Sequence, residues 1–304
     1  MGSIVLGLTE LLMEAGLLVP LGLPGLYART GQFERVADAL GTVITKSCVG
    51  ERPEVLHFPP VVDQLVLERN GYFIGFPHLA GCVHSFSGSA DDHKRLLYKL
   101  VSDAPTGSEF VPTGCALTPA ACYPVYKLIA ARGALPQGGV LADVESFCFR
   151  HEPSDDPARM QSFRMREYVR IASPAQVRLF RDKWLLQAGA FVESLGLSGA
   201  IESAHDPFFG AAGGLAAHQG AESLKFEMLV SVSAAAPRTA CMSFNSHEKH
   251  FTAAWGLRGE DGALAHSACV GFGVERLVLA LFVAHGPDLE AWPLAVRRVL
   301  WPPA

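Results

Sequence analysis

Two β-rich runs, Val140 to Phe149 and Ser162 to Ile171, flank a charged stretch, His151 to Arg159. Close in sequence and joined by that loop, they form an antiparallel hairpin with a long polar tip. Whatever else the chain does, it must house this hairpin in an antiparallel sheet and leave the tip accessible. Long ordered tips of this kind often carry function.

The clearest helix follows at once. Ser173 N-caps it, Pro174 takes the first helical position and Gln176 completes a capping box. Val177, Phe180, Trp184, Ala188, Phe191 and Leu195 recur at helical spacing, and the helix stops near Gly196. Upstream, Leu6 to Gly16 reads as an amphipathic, surface-packed helix. A Gly/Pro-rich connection, Gly22 to Gly25, leads to a second helix over Phe33 to Thr45, with Phe33, Val36, Leu40 and Val43 on one face. Glu54 to Val62 reads as a strand interrupted by Pro59 and Pro60, which puts it at a sheet edge or an interface. Leu224 to Val232 and Thr239 to Asn245 read as further strands, and Gly271 to Val283 as a glycine-led helix or a turn into a buried helix. Strands in a run with helices set apart indicate an α+β fold with a central antiparallel sheet. No internal repeat or low-complexity linker divides the 304 residues, so they are read as one domain, 1–304, with a helical part over 1–50.

Composition narrows the function. The net charge is -5 at pH 7 and no basic tail is present, which weighs against tRNA or other nucleic acid as the main partner. The seven cysteines are odd in number and form no CxxC pair, so a disulfide framework is not expected and a reducing cytoplasm is the simpler setting. The apolar start lacks a basic leader and carries Glu10 and Glu14. No uncharged stretch reaches the roughly 18–20 residues that span a membrane.

Three separated segments hold the side chains suited to chemistry. Phe149-Arg150-His151-Glu152 opens the hairpin tip and Arg159-Met160-Gln161-Ser162-Phe163 closes it. Gly271-Phe272-Gly273-Val274-Glu275-Arg276 comes later, and the strand bearing Pro59 and Pro60 follows a long helix. Together they resemble motif 2, motif 3 and, more loosely, motif 1 of class II aminoacyl-tRNA synthetases. GxGxER alone is a weak signal; joined to FRHE and RMQSF at hairpin spacing it is a strong one.

The resemblance implies that Arg150 holds the α-phosphate and the carboxylate, that Arg276 holds the γ-phosphate, and that Arg159 meets the folded-back β- and γ-phosphates of ATP. A carboxylate attacking ATP builds charge at the α-phosphorus, and fixed cations stabilise it. Arginine suits the task because its planar fork can donate two bonds at once. By the same resemblance Glu152 accepts from the adenine amino group and Phe163 stacks on adenine. Any one of these residues could instead be a surface ion pair or a core Phe; the set together is hard to explain that way.

Alternation along the second hairpin strand offers a check from the residues themselves. Phe163 and Glu167 are four apart and face one side, so Glu167 lies one step deeper, where an amino-acid substrate would sit. Cys122 precedes the hairpin and Cys269 lies two residues before Gly271. Two thiolates and a carboxylate make three zinc ligands and leave a fourth position for substrate. Spacing alone does not establish this, since a lone buried Cys is more often a small core hydrophobe.

Four further stretches sharpen the resemblance: 149–154 (FRHEPS), 165–170 (MREYVR), 25–27 (GLY) and 206–210 (DPFFG). They are similar to the amino acid:[carrier protein] ligases, bacterial relatives of the atypical zinc-dependent seryl-tRNA synthetases of methanogenic archaea, and the similarity covers nearly the whole chain. It implies Zn2+ at Cys122, Glu167 and Cys269 with the substrate amine as fourth ligand, ATP with Mg2+ at the phosphates, and a homodimer through the Pro59 region. It also implies activation of glycine or alanine to the adenylate and transfer to the phosphopantetheine thiol of a carrier protein. The alternative is seryl-tRNA synthetase-type aminoacylation; the archaeal enzymes carry an N-terminal tRNA-binding domain, and two short helices over 1–50 are too little for that job. A paralogue that only binds would have lost motif arginines, and Arg150, Arg159 and Arg276 are all present.

Lys225 and Glu227 resemble a strand that lines the ATP–magnesium site in that family, and Asn245 and His247 fall near where the amino-acid pocket closes. The family's magnesium-binding Glu has no clear match, with Thr239 standing near it, and His151 receives no role. Arg178, Arg181 and Lys183 sit near a helix N-terminus, against the dipole preference, and are the expected docking surface for an acidic carrier protein.

Overall fold

The computed structural model of the chain describes residues 8–209, 224–232 and 238–303. It opens with α1 (Leu8–Glu14) and a small hairpin of β1 (Leu18–Pro20) and β2 (Tyr27–Arg29). The expectation of two helices over 1–50 misses this hairpin, because strands of three residues carry too little alternation to register. Leu6 and Gly7, the expected start of the first helix, and Gly210 of the 206–210 stretch lie outside the described residues. Gly25 has φ 76°, and a Cβ there would come within 3.2 Å of the Arg159 carbonyl oxygen. The β1–β2 turn thus packs against the hairpin tip through a glycine, and the Gln161 amide donates to the Gly25 carbonyl at 2.8 Å.

The next helix, α2 (Gly31–Cys48), is longer than the expected 33–45 and buries Phe33, Val36, Leu40 and Ile44 along one face. The 54–62 stretch is not one strand. Pro59 and Pro60 split it into β3 (Glu54–His57) and β4 (Val61–Asp63), which join different sheets. Then come α3 (Gln64–Arg69), α4 (Tyr72–Gly75), β5 (Cys82–Phe86), α5 (Ala90–Val101), β6 (Phe110–Leu117) and α6 (Tyr123–Ala131). The hairpin follows as β7 (Val140–Phe149) and β8 (Ser162–Ala172), and after it the capped helix α7 (Pro174–Ser194), whose Ser173–Gln176 capping box is formed. The rest is β9 (Gly199–Ser203), β10 (Lys225–Val230), β11 (Thr239–Glu248), α8 (His250–Trp255), β12 (His266–Gly273), α9 (Val274–His285) and α10 (Leu294–Leu300).

The main sheet runs β3-β7-β8-β12-β11-β10-β9, antiparallel except for the β3–β7 pair at its edge, and β4-β6-β5 form a smaller sheet. Gly271 to Gly273 are neither helix nor turn, as the sequence suggested; they end strand β12, and the helix begins at Val274. The strand eluded pattern reading because it is covered on both sides, buried from Ser267 to Phe272, and so shows no apolar–polar alternation.

Alternation along β8 sorts its side chains between two faces. Tyr168 packs on Trp184 of α7 with ring centroids 5.1 Å apart, and Trp184 meets Phe272 at 5.9 Å. Phe163, Met165 and Glu167 point the other way, into a cleft bordered by α4, the start of α6 and α8. The basic residues of α7 therefore lie on the face away from the cleft. Arg181 pairs with Asp182 at 3.4 Å and Lys183 with Glu51 at 2.5 Å.

Candidate active site

The cleft encloses about 530 Å³. One buried group of its polar atoms comes from three elements. Cys122 sits at the N-cap of α6, Glu167 is near the middle of β8, and Cys269 lies beside it on β12. Register places Cys269 opposite Val169 and Gly271 opposite Glu167, so the thiol and the carboxylate share the cleft face. All three side chains are buried, and one ligand atom from each lies within 4.8 Å of the others. The Cys122 amide donates to Glu167 Oε1 at 3.1 Å and holds the carboxylate in place.

Crowding three acidic groups in an apolar site forces them to share protons. Burial, followed by the charge of Cys269, pushes Glu167 up to about 8. The hydrogen bond to Cys269 and burial raise the Cys122 thiol well above its ordinary value. Cys269 is lowered by that same hydrogen bond and by His247. Asn245 Nδ2 lies 3.3 Å and His247 Nε2 3.2 Å from Cys269 Sγ. Both residues line the cleft, as the sequence suggested, and both also support a thiolate from behind. A buried, anion-rich, soft donor set with hydrogen-bond support fits a zinc ion.

The other end of the cleft is cationic. Arg150 leaves the end of β7, donates Nε to the Pro119 carbonyl at 3.0 Å and stands 5.4 Å from the centroid of the Phe163 ring. Arg276 opens α9 and donates to the carbonyls of Ala158 at 2.8 Å and Ala240 at 2.9 Å. Neither guanidinium has a carboxylate partner among the described residues. Burial lowers the pKa of Arg276, and the positive charges of Arg150 and Arg159 press the same way. Two guanidinium groups without a direct carboxylate partner suit an anionic ligand. Arg159 itself pairs with Glu152 at 2.7 Å at the half-exposed rim. Lys225 is held by Asp206 at 2.6 Å and Glu227 at 3.0 Å, on the cleft wall.

Every site residue expected from the sequence, from Cys122 to Arg276, lines this one cleft. Thr239 and His151 do not line it; His151 Nδ1 lies 3.3 Å from Gln161 Oε1 inside the hairpin tip. Tyr72 and Glu275 are among the lining residues that were not foreseen. Tyr72 of α4 forms part of the cleft wall, and Glu275 binds Arg164 behind Phe163 and Arg276. Tyr72 lies in a stretch, Asn70 to Phe76, that matches no motif, and its only signal is aromatic density. Glu275 stands in the GxGxER match itself, but the pattern does not say what it binds.

No family model matches the chain. Among curated proteins, it is 43% identical over 281 residues to amino acid–[acyl-carrier-protein] ligase 1 of Bradyrhizobium diazoefficiens, covering 92% of this chain and 86% of that one. It is 28% identical over 284 residues to the type-2 serine–tRNA ligase of Methanopyrus kandleri, covering 86% of this chain but 53% of that one. Among solved structures, M. kandleri SerRS in complex with A. aeolicus tRNASec superposes with a TM-score of 0.81 at 19% identity, over 97% of this chain and 60% of that one. That last likeness bears on the fold, which is that of seryl-tRNA synthetases.

Proposed function

The chain belongs to the family of amino acid–[acyl-carrier-protein] ligases, and from that footing we propose that it activates glycine or alanine with ATP and passes the aminoacyl group to the phosphopantetheine thiol of a carrier protein. The observation that carries this reading is the junction, in one cleft, of the Cys122–Glu167–Cys269 donor set with a cationic end built from Arg150 and Arg276.

The division of labour follows from the chemistry of each end. Zinc, when held by Cys122, Glu167 and Cys269, supplies a Lewis-acid site for the neutral α-amine of the substrate. Arg150 orients the carboxylate and the α-phosphate, so that a carboxylate oxygen attacks the α-phosphorus and pyrophosphate leaves. Arg276 and Arg159 neutralise the departing phosphates, which reach the site as the magnesium complex of ATP, with Glu227 and Lys225 on the adjoining wall. Phe163 stacks on the adenine and Glu152 accepts from its amino group. A grip on the amine does not discriminate side chains, so selection for small ones falls to steric exclusion at the cleft floor. The edge strand β3, with its exposed Val55, and the exposed Val61 of β4 suit the Pro59 region as the contact of a homodimer. Seven free cysteines suit a reducing cytoplasm, and among the described residues no helix is long and apolar enough to cross a membrane.

The test is ATP–pyrophosphate exchange with a panel of amino acids, followed by mass spectrometry of a phosphopantetheinylated carrier protein. Exchange with glycine or alanine and a matching mass gain on the carrier are expected. Exchange with serine alone, with transfer to tRNA and none to the carrier, would overturn the proposal.

A further inference from the structure

His247 is the residue that the β11–β12 ladder leaves over. Ser246 pairs with Ala268 and Glu248 with Ser267, two neighbours on β12, so His247 has no partner on that strand and forms a β-bulge. Glu248 closes the bulge at φ 47°, a left-handed conformation that a residue with a side chain adopts at a cost. Bulges beside active sites re-aim a side chain. Here the imidazole lines the cleft, and its Nε2 lies 3.2 Å from Cys269 Sγ.

Packing holds the ring in that place. It meets Phe251 edge-on with centroids 4.8 Å apart, and Phe251 in turn lies 4.7 Å from Tyr126 and 5.6 Å from Tyr123. Both tyrosines belong to α6, the helix that Cys122 caps. The helix α8, which begins at His250, is tied to Asn70. His250 Nε2 donates to the Asn70 carbonyl at 3.0 Å, and Trp255 Nε1 donates to its Oδ1 at 2.6 Å. The imidazole is thus braced against the element that supplies the other thiol.

Charge explains what the contact is for. Zn2+ among two thiolates and a carboxylate leaves a net negative charge, and Cys122, Glu167 and Cys269 are all buried. Such a set holds the ion but weakens its pull on a neutral amine. Hydrogen bonds to a thiolate draw charge off the sulfur. Asn245, opposite Cys269 in the ladder, divides its amide between Cys269 Sγ at 3.3 Å and Ser243 Oγ at 3.2 Å. His247 brings a second donor to the same sulfur from the bulge. A metal-bound thiolate has no proton to give, so the imidazole must donate from Nε2.

We propose that His247 is a positioning residue of the metal site: its Nε2–H bonds the Cys269 thiolate, fixes the direction of that ligand and draws off its charge, so that the bound ion stays electrophilic towards the substrate amine. The inference rests on the zinc site of the ligase reading above.

The experiment compares wild type with two variants. His247→Phe keeps an aromatic ring against Phe251 and removes the donor. His247→Gln restores a donor, because its amide nitrogen stands as many bonds from the backbone as Nε2. Zinc affinity is read by chelator competition. After Co2+ replaces Zn2+, the thiolate-to-cobalt charge-transfer band is recorded in the near ultraviolet. Losing a donor raises the energy of the thiolate electrons, so the band of His247→Phe should move to longer wavelength. Its zinc affinity should fall about 10- to 100-fold, and His247→Gln should return both readings to within about 3-fold of wild-type affinity and to the wild-type band. A packing role alone would weaken binding and leave the band in place. An unmoved band or wild-type affinity in His247→Phe overturns the inference and leaves the zinc site standing, as does a Gln variant that behaves like Phe. If His247→Phe does not fold, His247→Leu takes its place with the same expectations. A wild-type chain that binds neither zinc nor cobalt overturns the zinc reading and this inference with it.

Discussion

Arg164 gives Glu275 both its backbone amide, at 2.6 Å, and its Nε, at 2.8 Å. The pair lies directly behind Phe163 and Arg276, the next residue in the chain on either side, and both of those face the cleft. Glu34 of α2 extends the network by accepting from Arg164 Nη1 and from Arg29 Nε, the latter at 3.1 Å. One chain of charges thus ties the long helix, the hairpin and the start of α9, and so fixes the spacing of Phe163 and Arg276 on the cleft wall.

Removing one member of a buried, hydrogen-bonded pair leaves the other charged and unpaired. Glu275→Ala should lower the unfolding free energy by about 3–5 kcal/mol. Urea unfolding followed by far-UV dichroism measures it. A loss under about 1 kcal/mol, the scale of a surface pair, would mean that the network does not anchor the hairpin.

Metal binding should depend steeply on pH. With Glu167 at about 8 and the Cys122 thiol raised well above its ordinary value, both hold protons near neutrality, while Cys269 is already lowered. Loading a cation below pH 8 must then expel two protons, so affinity rises with pH, about 100-fold per unit there and about 10-fold per unit above it. Chelator competition across that range, corrected for the chelator's own protonation, reads the slope. Cys122→Ala and Cys269→Ala should each abolish tight binding; a pH-independent affinity in the wild type would contradict the shared-proton arrangement.

How far the sequence carried the fold depended on how local the signal was. β7 keeps its expected bounds, 140–149, and α7 its cap, because strand composition and a capping box are written within a few residues. β12 was missed because burial on both sides erases alternation, and β1–β2 because three-residue strands have none to show. The site was legible through residue types at motif spacing. Yet the closeness of Cys122, Glu167 and Cys269 depends on the pairing of β8 with β12 and on where α6 begins, and no local pattern encodes either. Tyr72 reaches the cleft through a part of the chain with no motif, so only the packed structure reveals it.

The rim pair Glu152–Arg159 should separate stability from function. Its side chains are 43% and 55% exposed, so the pair contributes no more than about 1 kcal/mol. Nucleotide binding would part them, sending Arg159 to the phosphates and Glu152 to the adenine amino group. Glu152→Gln should leave the melting temperature within a degree or two, weaken ATP binding, and narrow the preference for ATP over GTP, since the guanine carbonyl no longer faces a carboxylate. Nucleotide titration by calorimetry checks this; an unaltered ATP-to-GTP ratio would remove Glu152 from the adenine site.

Gly271 offers a test of how small side chains are selected. Its backbone is ordinary strand, with no left-handed φ to require glycine, so the residue is there for space. A Cβ at this position would meet Ser243 Oγ at 2.8 Å, Met165 Cε at 3.7 Å and Glu167 Cγ at 3.8 Å. The first contact is with a rotatable hydroxyl, which can turn aside, so Gly271→Ala should fold. The added methyl would instead stand in the cleft lining, beside Met165 and Glu167. There it reduces room for the substrate, and more so for a substrate with a side chain of its own. A methyl misfit in such a site is worth about 10- to 200-fold in specificity. Gly271→Ala should therefore lower kcat/KM for alanine at least about 10-fold relative to that for glycine, with the zinc content unchanged. Pyrophosphate exchange run with both amino acids measures the ratio. An unchanged ratio would place the substrate side chain away from β12 and the selectivity on another wall of the cleft.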